Sequence, residues 1–193
     1  MFSLDLRSIF EDAHTINQFE DRPVSSETLS QIYERVRYAP TAMNCSPLRL
    51  LFVQSADAKA KLKPCLSPGN VDKTMAAPVT AIAAWDSRFF EHMETLAPHM
   101  PGAGERFVGN AAMAEKTGVT SATLQIGYFI LGARSHGLGV GPMAGFDAAA
   151  VDAAFFADGR YRSLLLLNLG YAAVDGHRPR APRLHAADVM QII

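Results

Sequence analysis

The chain has 193 residues and a formal net charge of -1, with 49% hydrophobic and 19% charged residues. This length and composition suit a core-forming globular domain spanning 1–193 and exclude an intrinsically disordered chain. The near-zero charge gives no electrostatic footprint for nucleic acid or an anionic membrane, and no apolar run reaches the roughly 18 residues of a membrane-spanning helix.

Met1 to Glu11 lacks the basic start and apolar run of a signal peptide. Leu4 to Ala13 reads as a short amphipathic helix, and His14 to Phe19 follows without helical period. Polar Thr15 and Asn17 alternate with Ile16, so they share a side if the segment is extended. Ser25 with Glu27 marks a helix start, and that helix carries Leu29, Ile32, Tyr33 and Val36 and stops before Pro40. Ala39 to Pro47 is a loop of small and polar residues. Leu48 to Val53 is a strand by its apolar run.

A helix is expected over Ala56 to Leu66, broken by Ser67-Pro-Gly-Asn70. Val71 to Met75 forms one more turn, carrying Lys73. Pro78 to Trp85 is a long apolar strand, hence central. Asp86 to Leu96 reads as a third helical piece, and Ala97 to Glu105 as a loop with two prolines and two glycines. A long helix, Ala111 to His136, has apolar residues at Val119, Ala122, Leu124, Ile126, Phe129, Ile130 and Ala133, dense enough for burial on more than one face. Gly137 to Asp147 is expected to be a glycine-rich loop that bends sharply or approaches a flat ligand. Asp147 caps a helix through Phe156, Arg162 to Leu169 is a third strand, and the tail is basic as far as Arg183. Helices alternating with at least three buried strands predict a two- or three-layer α/β arrangement with strand direction open.

Gly139-Val-Gly-Pro-Met-Ala144 matches the G-x-G-x-x-A dinucleotide fingerprint literally. That motif requires a preceding strand and a helix opening at its end. Here a helix precedes it, and Pro142 removes an amide that would face a pyrophosphate. The six histidines show no metal-ligand spacing, and Cys45 and Cys65 form neither a C-x-x-C pair nor a disulfide framework. A metal site is therefore not expected, and a reducing cytoplasm is the expected compartment. What remains is a scattered set of anion and amide binders whose joint arrangement the residues alone leave open.

Four segments supply it. Ala39-Pro-Thr-Ala-Met-Asn-Cys-Ser-Pro47 before a strand, Asn70-Val-Asp-Lys73 before Ala-Pro-Val79, Gly141-Pro-Met-Ala-Gly-Phe-Asp147, and Arg180 with Arg183 stand in the order found in the flavin-dependent nitroreductase superfamily, which the chain resembles along nearly its whole length. Asn44-Cys-Ser-Pro, Pro78-Val-Thr-Ala-Ile and Ala84-Trp-Asp86 look like the malonic-semialdehyde reductase-like branch, which includes members called NADH dehydrogenase/NAD(P)H nitroreductase.

The resemblance implies an α+β sandwich: a central, mostly antiparallel sheet flanked by helices, with the long central helix at a homodimer interface. It implies one FMN at each of two sites across that interface, NADH or NADPH as electron donor, and ping-pong transfer to a small acceptor such as malonic semialdehyde, a nitroaromatic or a quinone. The phosphate segment maps to His14, Thr15 and Asn17, with Arg180 and Arg183 beside it. Many relatives carry basic residues at or near positions 14 and 17, so this chain departs there. Lys73 becomes the flavin-tuning cation, with Asn70 as its hydrogen-bonding neighbour. Pro40, Thr41, Ala42 and Asn44 would reach the partner's FMN. Met143, Ala144 and Gly145 would line the reactive edge, the Ala144 amide donating to flavin N5. The Ala97 to Phe107 loop, with Arg88 or Arg106, is the candidate for meeting the acceptor. The missing cation at Asn17 keeps a flavin-binding or flavin-sequestering protein of little turnover as the alternative.

Overall fold

A computed structural model describes residues 6–193. The start of the expected first helix, including Leu4, lies outside them. The remainder forms only a short helical turn at Arg7–Glu11. Strands β1 (Leu48–Val53), β2 (Val79–Asp86), β3 (Gly139–Met143) and β4 (Tyr161–Gly170) make a four-stranded sheet in the order β1-β2-β4-β3, antiparallel throughout. The architecture expected from the family resemblance is thus present, and the strand direction that the pattern left open is settled.

Helices cover both faces. α1 (Ser26–Val36) and α5 (Ala111–Ser135) pack on one, where Leu29, Ile32, Ile126, Phe129 and Ala133 meet Ala81, Ala83, Leu167 and Leu169. α2 (Ala56–Leu62), α3 (Val71–Ala76) and α6 (Ala148–Phe155) cover the other, where Leu62 and Val151 meet Ile82, Ala84 and Leu166. Alternate residues of β2 therefore enter opposite cores, which is why its sequence is an unbroken apolar run. A third cluster closes one end of the sheet. It joins Trp85, Phe89, Met93 and Phe107 from β2 and the following segment, which includes α4 (Met93–Leu96), to Ala114 and Ala122 of α5.

Three sequence expectations are corrected. The glycine-rich segment is not simply a loop: Gly139–Met143 is the edge strand β3. Pro142 is tolerated there because β3 is an edge strand, with only the isolated bridge from Thr15 to Val140 on its outer side. A Cβ on Gly139 would lie 2.6 Å from Ile16 Cγ1, and one on Gly141 2.6 Å from Ile16 O. These glycines admit a close neighbour, as their density suggests, but that neighbour is the protein's own chain. The second correction concerns Asp86. It ends β2 rather than opening a helix, and its carboxylate is fully buried against Arg49 and Arg160. Helix resumes only at Phe89–His92 and α4. The expected helix over Ala56 to Leu66 likewise ends at Leu62, and a tighter turn with Pro64 follows.

Candidate functional site

The segment after the N-terminal turn is threaded between β3 and the C-terminal tail. Thr15 bridges Val140, the Ile16 amide donates to Val140 O at 3.2 Å, and the Asn17 amide donates to Gly176 O at 2.8 Å. Two arginines pin it from outside. Arg134, in the last turn of α5, donates from Nη1 to Ile9 O at 2.9 Å. Arg180 donates from Nη2 to Glu11 O and, at 2.7 Å, to Ala13 O. The His14 and His177 rings lie 4.0 Å apart, centroid to centroid.

These elements wall a cleft of about 560 Å³. His14, Thr15, Asn17, Lys73, Arg180 and Arg183, all expected at the site, line it together with Phe10, Arg134 and Arg178. Among the described residues, no carboxylate pairs with Lys73, Arg134, Arg178, Arg180 or Arg183. The Arg134 Nε is buried with no hydrogen-bond partner among the described residues. Burial, then the charge of Arg180, lowers the Arg134 pKa. Partial dehydration lowers that of His14, helped by His177 and Arg180. Dehydration leads in both shifts and neighbouring positive charge adds to it; an anion in the cleft would oppose both.

Lys73 belongs to α3, whose N-terminus faces the far end of β3. Asn70 precedes that helix and donates from Nδ2 to Gly145 O at 2.7 Å, while the Ser67 amide donates to the same oxygen at 3.1 Å. A Cβ on Gly145 would stand 2.5 Å from Asn70 Nδ2, so only glycine lets the two segments close this far. The amides of Ala144 and Gly145 donate to nothing among the described residues. One Asn70 N–H is thus engaged by the protein's own loop, while its second N–H and Oδ1 have no partner among the described residues. Met143 is buried, its sulfur near Thr74 and Asn168 rather than facing the cleft.

Pro40, Thr41, Ala42 and Asn44 are not brought to this cleft. The Ala42 amide lies 3.4 Å from Ser121 Oγ, and Asn44 Nδ2 donates to Leu96 O at 2.7 Å. At about 1.5 Å per residue, Ser121 lies about 20 Å along α5 from Arg134. Met43, Asn44 and Ser46 hold positive φ (52°, 55° and 39°), an uncommon and strained backbone for residues with side chains. The Ala97 to Phe107 segment packs inward through Ala97, Ala103 and Phe107. The face of α5 turned away from the sheet forms a shallow apolar groove that includes Val119, Leu124, Gly127 and Leu131. Leu124 is 46% exposed there, and a Cβ on Gly127 would meet nothing within 4 Å.

Sequence reasoning missed Arg134, because a cation in a helix's last turn is ordinarily a dipole-compatible end residue. It also left Arg178 among the general basicity of the tail. Spacing offered no signal for either. Among the described residues, no group of His, Cys, Asp and Glu converges as a metal site, and no helix is long and apolar enough to cross a membrane.

The Nitroreductase family model matches residues 11–171. A protein of Leptothrix cholodnii named "Putative NADH dehydrogenase/NAD(P)H nitroreductase" is 51% identical over 182 residues, which cover 94% of this chain and 92% of that protein. The fold is similar to the crystal structure of a "putative nitroreductase in complex with FMN" from Exiguobacterium sibiricum: TM-score 0.86, 23% identity, 100% of this chain and 99% of that one. It is also similar to a "putative NAD(P)H:FMN oxidoreductase" from Staphylococcus epidermidis: TM-score 0.83, 21% identity, 98% and 96% covered.

Proposed function

The chain belongs to the nitroreductase family, and from that membership we propose that it is an FMN-dependent NAD(P)H oxidoreductase acting as a homodimer. One observation carries this reading: five cations without a carboxylate partner among the described residues, Lys73 among them, line one cleft, and Asn70, three residues before Lys73, holds the segment whose Ala144 and Gly145 amides have no described partner. The residues present fit FMN. Arg134 Nε, His14, Arg178, Arg180 and Arg183 suit a terminal phosphate, the guanidinium groups by charge-assisted bonds. Lys73 and the amides of Ala144 and Gly145 suit the polar edge of the ring system. Bound there, FMN would supply two-electron chemistry, taking hydride from NAD(P)H and passing it to an acceptor.

The chain's own contribution is positioning and electrostatics. Lys73 would neutralise negative charge on the reduced ring, and the preformed amides would hold the reactive edge without reorganising. Asn17 cannot supply the cation that many relatives have, so Lys73 works alone on that side. Asn70 holds Gly145 with one N–H and keeps its second N–H and Oδ1 for the ligand. Pro40, Thr41, Ala42 and Asn44 complete the site from the partner, since one chain keeps them apart from its own cleft, and the exposed face of α5 is the seam. Two buried thiols that form no disulfide, Cys45 and Cys65, suit a reducing cytoplasm. A small aldehyde such as malonic semialdehyde, a nitroaromatic or a quinone is the acceptor class.

The test is an absorbance spectrum of the purified protein, FMN-loaded if necessary, before and after NADH or NADPH without oxygen. Bleaching, followed by recovery on adding an acceptor, is expected. Flavin bands that neither nucleotide bleaches would replace the reading with a flavin-sequestering protein. A protein that takes up no FMN would end it.

A further inference from the structure

We propose that Asn168 is a positioning residue of this site. Its carboxamide ties the helix that carries Lys73 to the strand end that carries Ala144 and Gly145, so that ammonium and amides address one ligand together. The proposal rests on the reading of FMN in the cleft.

Asn168 interrupts the run Leu164-Leu-Leu-Leu-Asn-Leu169 in β4 and is 1% exposed. A carboxamide in such a place costs free energy unless every polar atom finds a partner. Each does. Oδ1 accepts from Thr80 Oγ1 at 2.8 Å. Nδ2 donates to Thr74 Oγ1 at 3.3 Å and lies 3.8 Å from Met143 Sδ. The Thr74 hydroxyl points on to the same sulfur at 3.7 Å. Thr74 and Thr80 are fully buried and Met143 nearly so. One side chain on β4 thereby joins β2, α3 and β3.

The placement is what suggests a role. Thr74 follows Lys73 directly, and Met143 precedes Ala144 directly. The network therefore grips the chain one residue from Lys73, which lines the cleft, and one residue from the unpartnered Ala144 amide. α3 needs such a grip. It has six residues and no side-chain N-cap bond, too few to hold a helix unaided. Lys59 secures the other end, donating from Nζ to Thr74 O at 3.2 Å, Met75 O at 3.1 Å and Ala77 O. That ammonium clamps the C-terminus of the helix but does not link it to β3. Among the described residues, Asn70 to Gly145 and the Asn168 network are the side-chain hydrogen bonds between the two halves of the site.

Stability alone does not account for the network. A satisfied buried polar cluster is worth little more than apolar residues of the same shape, whereas losing one member strands the rest. The all-apolar replacement T74V/T80V/N168L is therefore expected to keep a melting temperature within a few degrees of wild type while releasing the directional link.

The experiment compares apo melting temperature, FMN dissociation constant and, for the loaded dimer, flavin midpoint potential. Variants are T74V/T80V/N168L, Thr74→Val and Thr74→Ser. With a native melting temperature, the triple variant is expected to bind FMN roughly tenfold more weakly. Weakening the reduced form a further tenfold would shift the potential down by about 30 mV for a two-electron couple. Thr74→Val should move the same way, and Thr74→Ser, which keeps the hydroxyl, should restore wild-type values. Wild-type potential and FMN affinity in the triple variant or in Thr74→Val, whatever the melting temperature does, would overturn the proposal. A wild-type protein that binds no FMN would overturn the functional reading itself, and this proposal with it.

Discussion

Replacing Gly145 by alanine tests the geometry of the site most directly. The new Cβ would stand 2.5 Å from Asn70 Nδ2 and 3.4 Å from Ser67 Oγ. The second contact is tight but tolerable; the first is not, so the Asn70 carboxamide must swing away and give up its 2.7 Å bond to Gly145 O. A net hydrogen bond is worth about 1 kcal/mol, and residual crowding adds a similar amount, so a loss of about 1–2 kcal/mol is expected. For a chain of this size that lowers Tm by roughly 2–8 °C. The amides of residues 144 and 145 shift with the strand end, and FMN affinity should fall roughly tenfold, equivalent to about 1.4 kcal/mol. The decisive assay is a double-mutant cycle with Asn70→Ala, read by thermal melting of the apoprotein and by FMN fluorescence titration. Once Asn70 is truncated the alanine has room, so Gly145→Ala should cost much less in that background. An equal cost in both backgrounds would refute the reasoning, because the clash would then not be with Asn70.

Leu124→Glu puts a charge on the exposed apolar face of α5 and should convert a dimer to a monomer by sedimentation velocity, with loss of FMN; a monomer that retains FMN would show that the site is not shared. Lys73→Ala should leave Tm within about 1 °C, as for a surface-facing substitution, but lower the flavin midpoint potential and slow reduction by NADH; unchanged values would remove Lys73 from the site. Burial pushes the Asp86 carboxyl up, but hydrogen bonds from Arg160 and the Arg88 amide, with the charges of Arg49 and Arg160, outweigh it and hold the pKa below 3.8. A depressed carboxyl stabilises the fold above its unfolded pKa and loses that contribution as pH falls through the folded one. Asp86→Asn should therefore cost about 3 kcal/mol near neutral pH, and the gap to wild type in urea melts should narrow below pH 3.8. The His14 pKa lies below its ordinary 6.5 in the free cleft, and a bound phosphate would raise it, so binding takes up a proton. The ratio of FMN affinities between wild type and His14→Gln should grow as pH falls from about 8 to 6; a constant ratio would place His14 away from the phosphate.

Much of the architecture is legible in the chain because buried strands and helix caps leave local marks. β1, β2 and β4 are apolar runs because the sheet is covered on both faces, and Ser25, Ser55 and Asp147 cap their helices through side-chain oxygens, as the preference for such residues at helix starts dictates. β3 left no such mark. Its glycines and Pro142 read as a turn, and it is the antiparallel pairing with β4, with Ile16 crossing at close range, that makes a strand of them. Asp86 misled in the opposite sense, for it reads as the first residue of a helical piece until two distant arginines are brought to it.

Periodicity and caps are local properties, so the sequence by itself determined the alternation of helices with buried strands and most element boundaries. Contacts between residues far apart in sequence belong to tertiary structure alone. Arg134 enters the cleft only because α5 ends beside the N-terminal turn, and Asn70 meets Gly145 across 75 positions. The distance between Ser121 and Arg134 on one rigid helix separates the 40–44 loop from the cleft of its own chain. No local pattern records that separation, because it is set by how the helix lies on the sheet.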